Sequence, residues 1–167
     1  MRTVGHAYSG AMSSLFDTFT GLPVHALVVH AVVVLVPLTA LGAILMVLWR
    51  SFSRRFAPLV VVVAAIAAGG ALVAKESGEQ LALRVGGGPP NHIALGRWMP
   101  LFAGALFVLV LAFWLVDRGI PMNRPRPLWV KLLGAALIVG ALMATFWVVR
   151  VGDTGSRAVW TQIVPRA

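Results

Sequence analysis

Four long apolar runs, separated by short charged connections, constrain this 167-residue chain more than anything else in it. They fall at about 22–49, 56–74, 92–116 and 128–149. A hydrocarbon layer of roughly 30 Å takes ~20 helical residues to cross. In lipid the backbone must satisfy its own polar groups, which for runs of this length means helices. The chain is 59% hydrophobic, with a mean hydropathy of +0.90, where a soluble domain is nearer to half apolar. The reading is an all-α integral membrane protein, a four-transmembrane-helix up-and-down bundle. Residues 1–21 form an extramembrane or interfacial arm, 22–150 the transmembrane domain and 151–167 an extramembrane tail. Leu15, Phe16 and Phe19 lie at helical spacing and suit a helix along the lipid surface. The arm lacks the basic start and apolar core of a signal peptide.

Cysteine is absent, which removes disulfides, thiolate metal sites and cysteine nucleophiles from this chain. The net charge of +9 comes from fourteen Lys and Arg against five acids. In a membrane protein such charge sits beside anionic headgroups, and no basic helix with interleaved aromatics points to nucleic acid. Arg50, Arg54, Arg55, Arg118, Arg124, Arg126 and Lys131 crowd one end of the bundle in two short loops, with Ser53 as an exposed loop position. An equal number of basic residues spreads over the other end. The denser set marks the cytoplasmic side, so both termini are expected outside a bacterial cytoplasmic membrane. Trp49, Trp114 and Trp129 fit an aromatic belt at one face and Trp147 at the other.

The histidines carry the chemistry. His25 and His30 open the first run and His92 opens the third. In an up-and-down bundle these runs are parallel, so the three share one membrane face. Imidazoles at equal depth on diagonal helices can clamp a flat cofactor such as haem b from both sides. His30 lies ~7.5 Å deeper than His25 and about 140° round the helix, so it is either an alternative axial ligand to His25 or a separate hydrogen-bonding residue. Pro37 and Pro100 are expected kink points. Asn91 reads as an N-cap, and Gly69 and Gly70 permit close helix approach. Arg97 could hold haem propionates or simply reach for the interface. Glu76, Glu79 and Asp153 lie at the same face. With a histidine they could bind a divalent ion through mixed nitrogen and oxygen ligands, although ion pairing with Lys75, Arg97 or Arg150 is the simpler role. The Gly86–Gly88 run has no phosphate-binding context.

Pro23-Val24-His25 followed by His30, Gly78-Glu79-Gln80-Leu81, a histidine opening the third run, and the terminal Gly152-Asp153-Thr154-Gly155 to Trp160 together resemble a bacterial four-span predicted membrane protein family of unknown function. Its members occur alone or fused to a Rieske iron–sulfur domain. The resemblance implies a four-helix bundle and a link to membrane redox proteins, with His25, His30 and His92 at the family's histidine positions. The chain departs at Asp153, where the pattern implies a histidine. Any Rieske-type partner would be a separate protein.

The function read from these residues is a small redox-associated membrane protein, an electron carrier rather than an enzyme, binding haem b or a metal ion at the outer end of the bundle. The alternative is a cofactor-free accessory subunit of a respiratory or other membrane complex; a homo-oligomer is compatible with either. A transporter is disfavoured because inverted repeats are not visible and the polar residues crowd the ends.

Overall fold

The structure is a computed structural model that describes residues 18–19 and 22–163. Thr18–Phe19 (β1) and Leu22–Pro23 (β2) form a minimal antiparallel pair, with Phe19 opposite Leu22. An interfacial helix reaching Phe19 is therefore not what the chain forms there. Leu15, Phe16 and the rest of the expected arm lie outside the described residues, as does His6. The remainder is helical: α1 (Val24–Leu48), α2 (Arg50–Arg84), α3 (Pro90–Gly96), α4 (Met99–Asp117) and α5 (Leu128–Ile163). Among the described residues four segments are long and apolar enough to span a membrane, and they are the four expected from the sequence, α3 and α4 together making the third. The fold is a four-span, all-α membrane bundle, and its apolar exterior implies a lipid bilayer around it.

The helix ends differ from expectation in instructive ways. α1 and α2 are separated by Trp49 alone, in an extended conformation. The arginines read as a loop are instead the first turns of α2, and Ser53 is buried among them at 2% exposure. α2 does not stop at the polar Lys75–Glu79 stretch but continues to Arg84. At 1.5 Å per residue its 35 residues reach ~50 Å, well past the ~30 Å apolar layer. α5, with 36 residues, does the same, so much of the expected tail is helix. The third span breaks at Arg97-Trp98, two residues before Pro100, whose missing N–H cannot bond back to Gly96. Trp147 donates its indole N–H to Leu95 O, 3.1 Å away, and stacks on Phe102 with centroids 4.5 Å apart. It is thus half-buried in the bundle rather than part of a lipid-facing belt. Asn91 does not cap α3: Pro90 occupies the first turn, with Pro89 before it and no side-chain cap. Proline suits that place because its absent N–H would have no helical partner.

Each span packs on two neighbours, α1 and α4 each on both α2 and α5, so α1 and α4 are diagonal. The seam is made of small residues. Ala57, Val60, Ala64, Ala67 and Ala71 face inward on α2, and Ala141 and Ala144 on α5. Glycines tighten it further. A Cβ on Gly42 would meet Val60 Cγ2 at 2.9 Å, and one on Gly70 would meet Val32 at 3.1 Å, whereas Gly69 faces open space. Large aliphatics lie outside, such as Leu59 and Leu142. Between helices in lipid, where no hydrophobic gain drives association, close packing of small residues supplies the contact energy.

Candidate functional site

His25 lies in the first turn of α1 and His92 in that of α3, the opening of the third span. The diagonal arrangement brings them together, with ring centroids 6.3 Å apart and planes at 77°. His25 Nδ1 is 2.9 Å from Ala74 O on α2. His92 Nδ1 is 3.1 Å from Val151 O on α5 and 3.4 Å from Thr154 Oγ1. A carbonyl can only accept, so each Nδ1 carries the proton and donates it. That leaves each Nε2 with its lone pair available, and among the described residues neither Nε2 has a hydrogen-bond partner.

Both rings rest on glycine. A Cβ at Gly78 would lie 2.8 Å from His25 Cε1, and one at Gly155 would lie 3.0 Å from His92 Cε1. Any side chain at either place would displace the ring above it. Ser77 Oγ and Thr154 Oγ1 donate back into their own helices, to Val73 O at 2.7 Å and Val151 O at 2.9 Å. Each hydroxyl is thereby satisfied locally beside the histidine's carbonyl.

The pair opens onto a cleft of about 1550 Å³, larger than the roughly 300–1,000 Å³ of an ordinary ligand pocket. Its walls are mostly apolar, from Val29, Val32, Leu81 and Ile93. Arg97 brings positive charge to it, the Lys75–Glu79 ion pair lies in its wall, and Gly86–Gly88 close one side. Gly86 and Gly87 have φ of 75° and 130°, a backbone that residues with a Cβ rarely adopt.

The other sequence candidates are placed differently. His30 is exposed, its Nδ1 bonded to Ala26 O of its own helix. The expected convergence of three histidines is a convergence of two, because five residues turn His30 to the far side of α1. Arg97 is exposed over the Trp98 ring, 5.7 Å from its centroid, and also reaches the cleft. Glu76 and Glu79 both pair with Lys75, at 2.8 and 3.1 Å. Asp153 is bound by Arg157, with both carboxylate oxygens 2.9 Å from Nε. Among the described residues no group of three or more His, Asp or Glu is arranged to hold a metal ion.

A second polar cluster, missed from the sequence, sits at the opposite end. Asp117 is fully buried at the end of α4. Its carboxylate accepts from Arg126 Nε at 2.8 Å and Nη2 at 3.0 Å, and from Ser53 Oγ at 2.7 Å. Arg126 also donates to Met46 O at 2.9 Å and to Val47 O, capping α1, and lies over the Phe113 ring. Arg50 and Arg54 donate to carbonyls of 118–124, among them Pro121 O at 3.2 Å and Arg118 O at 2.8 Å. These arginines, read as lipid anchors, fasten the last connection to the bundle. The one acid within an arginine-rich stretch was the available signal.

The match to known families comes over residues 21–166, to the predicted membrane protein family DUF2231. The chain belongs to this family. DUF2231 is a predicted membrane protein family of unknown function, so membership agrees with the membrane-spanning helices of the structure and assigns no activity. No curated protein and no solved structure matches the chain.

Proposed function

We propose that this DUF2231 protein holds a haem b between His25 and His92 and serves as a small electron carrier of the membrane. The observation that carries the reading is the meeting of two histidines, each with Nδ1 fixed on a backbone carbonyl and Nε2 left for a ligand. Two imidazoles bound to one metal from opposite sides, at roughly 2 Å per bond, have ring centres about 6 Å apart, and these are 6.3 Å apart. A histidine that ligates a metal through one ring nitrogen commonly donates its other N–H to a carbonyl or carboxylate, which fixes the ring. Haem asks the protein for only two axial ligands, which suits a pair better than a bare divalent ion wanting four or more. Haem iron supplies one-electron chemistry. The chain supplies the two nitrogens, the apolar walls, and Arg97 as a cation for carboxylate substituents.

We put this end of the bundle outside a bacterial cytoplasmic membrane, on the density of arginines at the other end. A separate Rieske-type or other redox protein is a fitting partner there. A cysteine at Asn123, in the exposed connection between α4 and α5, should then react with impermeant reagents only after the cells are opened. Labelling in intact cells would reverse the orientation.

The test of the cofactor is a visible spectrum of protein made with ample haem. A low-spin spectrum with a sharp Soret band is expected, lost in His92→Ala and His25→Ala and kept in His30→Ala. Wild-type protein with neither haem nor bound metal would sink the proposal and leave the accessory-subunit reading. An unchanged spectrum in His92→Ala would show that the ligands are misassigned.

A further inference from the structure

The bundle carries an internal repeat that its apolar composition hides. One constant shift along the chain moves the inward positions Val32, Val36, Thr39, Ala43 and Met46 of α1 onto Met99, Ala103, Leu106, Val110 and Phe113 of α4. The same shift moves His25 onto His92. A second constant shift moves Ser53, Ala57, Val60, Ala64, Ala67 and Ala71 of α2 onto Val130, Gly134, Leu137, Ala141, Ala144 and Val148 of α5, all buried. It also moves Ala74, Ser77 and Gly78 onto Val151, Thr154 and Gly155. The two shifts differ by ten positions, nearly all of it the 118–127 connection that replaces the single Trp49 of the first half.

Every element of the histidine site therefore exists twice. In each half a histidine at the start of the first helix donates to a carbonyl of the second helix. Its ring lies on a glycine four residues after that carbonyl, and a hydroxyl residue stands between the two. Corresponding spans run parallel, so the halves are related by an axis along the membrane normal. This is the parallel kind of repeat, distinct from the inverted kind.

We propose that the chain is a tandem duplication of a two-helix unit, and that each unit contributes one equivalent half-site to a ligand lying across the axis between them. The half-sites are His25 with Ala74 and Gly78, and His92 with Val151 and Gly155. A ligand matched to them presents the same chemistry to both sides, as a flat tetrapyrrole does with its two axial positions. Gly78 and Gly155 are then equivalent positioning residues that set where each Nε2 lies. The ligand class rests on the haem reading above; the equivalence of the half-sites does not.

The experiment uses full-length protein in nanodiscs, with ¹⁵N-labelled histidine, first without added haem. His25 and His92 should both appear as Nδ1–H tautomers. Gly78→Ala should shift the His25 signals alone and Gly155→Ala those of His92 alone. Gly69→Ala, where a Cβ meets nothing within 4 Å, should shift neither. Should Gly78→Ala fold poorly, the added change His25→Ala should restore its thermal stability, because the clash is with that ring. Haem titration then reads the second part. Each glycine variant should weaken binding by a similar factor, about 10- to 100-fold, and raise the high-spin fraction.

Silent glycine variants, or one histidine in the other tautomer, would overturn the duplicated half-site. A large haem effect from one glycine and none from the other would overturn the equivalence. If the histidine signals behave as stated but wild-type protein takes no haem, the half-sites stand and the haem reading falls.

Discussion

The two ends of this bundle hold polar groups in opposite states. At the Asp117 end the groups close on one another: a buried carboxylate meets a two-pronged guanidinium and a hydroxyl, and the guanidinium caps α1 as well. At the histidine end each ring is held through Nδ1 on a backbone carbonyl, and among the described residues its Nε2, beside a broad cleft, has no hydrogen-bond partner. A buried ion pair with its hydrogen bonds completed fixes geometry and has nothing left to offer a ligand. A side chain held firmly by one atom and left open at another is what a binding site requires. The comparison separates a fastening from a site although both consist of polar residues at helix ends.

Asp117→Ala should have the largest effect on stability. It leaves Arg126 charged and nine-tenths buried, and losing one partner of such a pair costs about 3–5 kcal/mol. Thermal melts in detergent should show it, while folded protein keeps its ligand spectrum. Replacing both partners, as in Asp117→Leu with Arg126→Met, should recover much of that loss. A double variant as unstable as the single one would mean that the caps on α1, and not the ion pair, hold this end. Ser53→Ala removes one bond to the charged carboxylate and should cost about 1.5–3 kcal/mol.

At the other end the ordering of stability and function reverses. His25→Ala or His92→Ala should cost only about 1 kcal/mol yet abolish ligand binding. A destabilisation as large as that of Asp117→Ala would make the histidines a second fastening and erase the contrast between the ends. The smallest effect belongs to His30→Ala, within about 0.5 kcal/mol for an exposed position, with the spectrum unchanged.

Much of this was open to reading in the chain itself. The four spans, their up-and-down order and the matched depth of His25 and His92 follow from run length and helical rise, which lipid enforces strictly. The inward faces were written there too, although in residue size rather than hydrophobicity. Small residues recur every three or four positions on α2 and α5, with Leu and Val on the lipid side. A scale that counts Ala and Leu alike as apolar cannot see that stripe, which is why these helices look uniform all round.

What the sequence determined alone is the environment and the inventory: a membrane bundle without cysteine, with two parallel helix starts bearing histidine and an excess of arginine at short connections. Its local rules also predicted correctly that a proline would disturb the third span. Only the tertiary structure decided which polar residues meet. That His25 joins His92 while His30 does not, that Asp117 takes Arg126 and Ser53, and that Gly78 and Gly155 each lie under a ring depends on contacts between residues far apart in the chain. The physical reason is one of range. Burial in lipid acts on each residue separately and is legible one residue at a time. A hydrogen bond or a close approach depends on placement to a fraction of an ångström, which here is set only when four helices settle against one another.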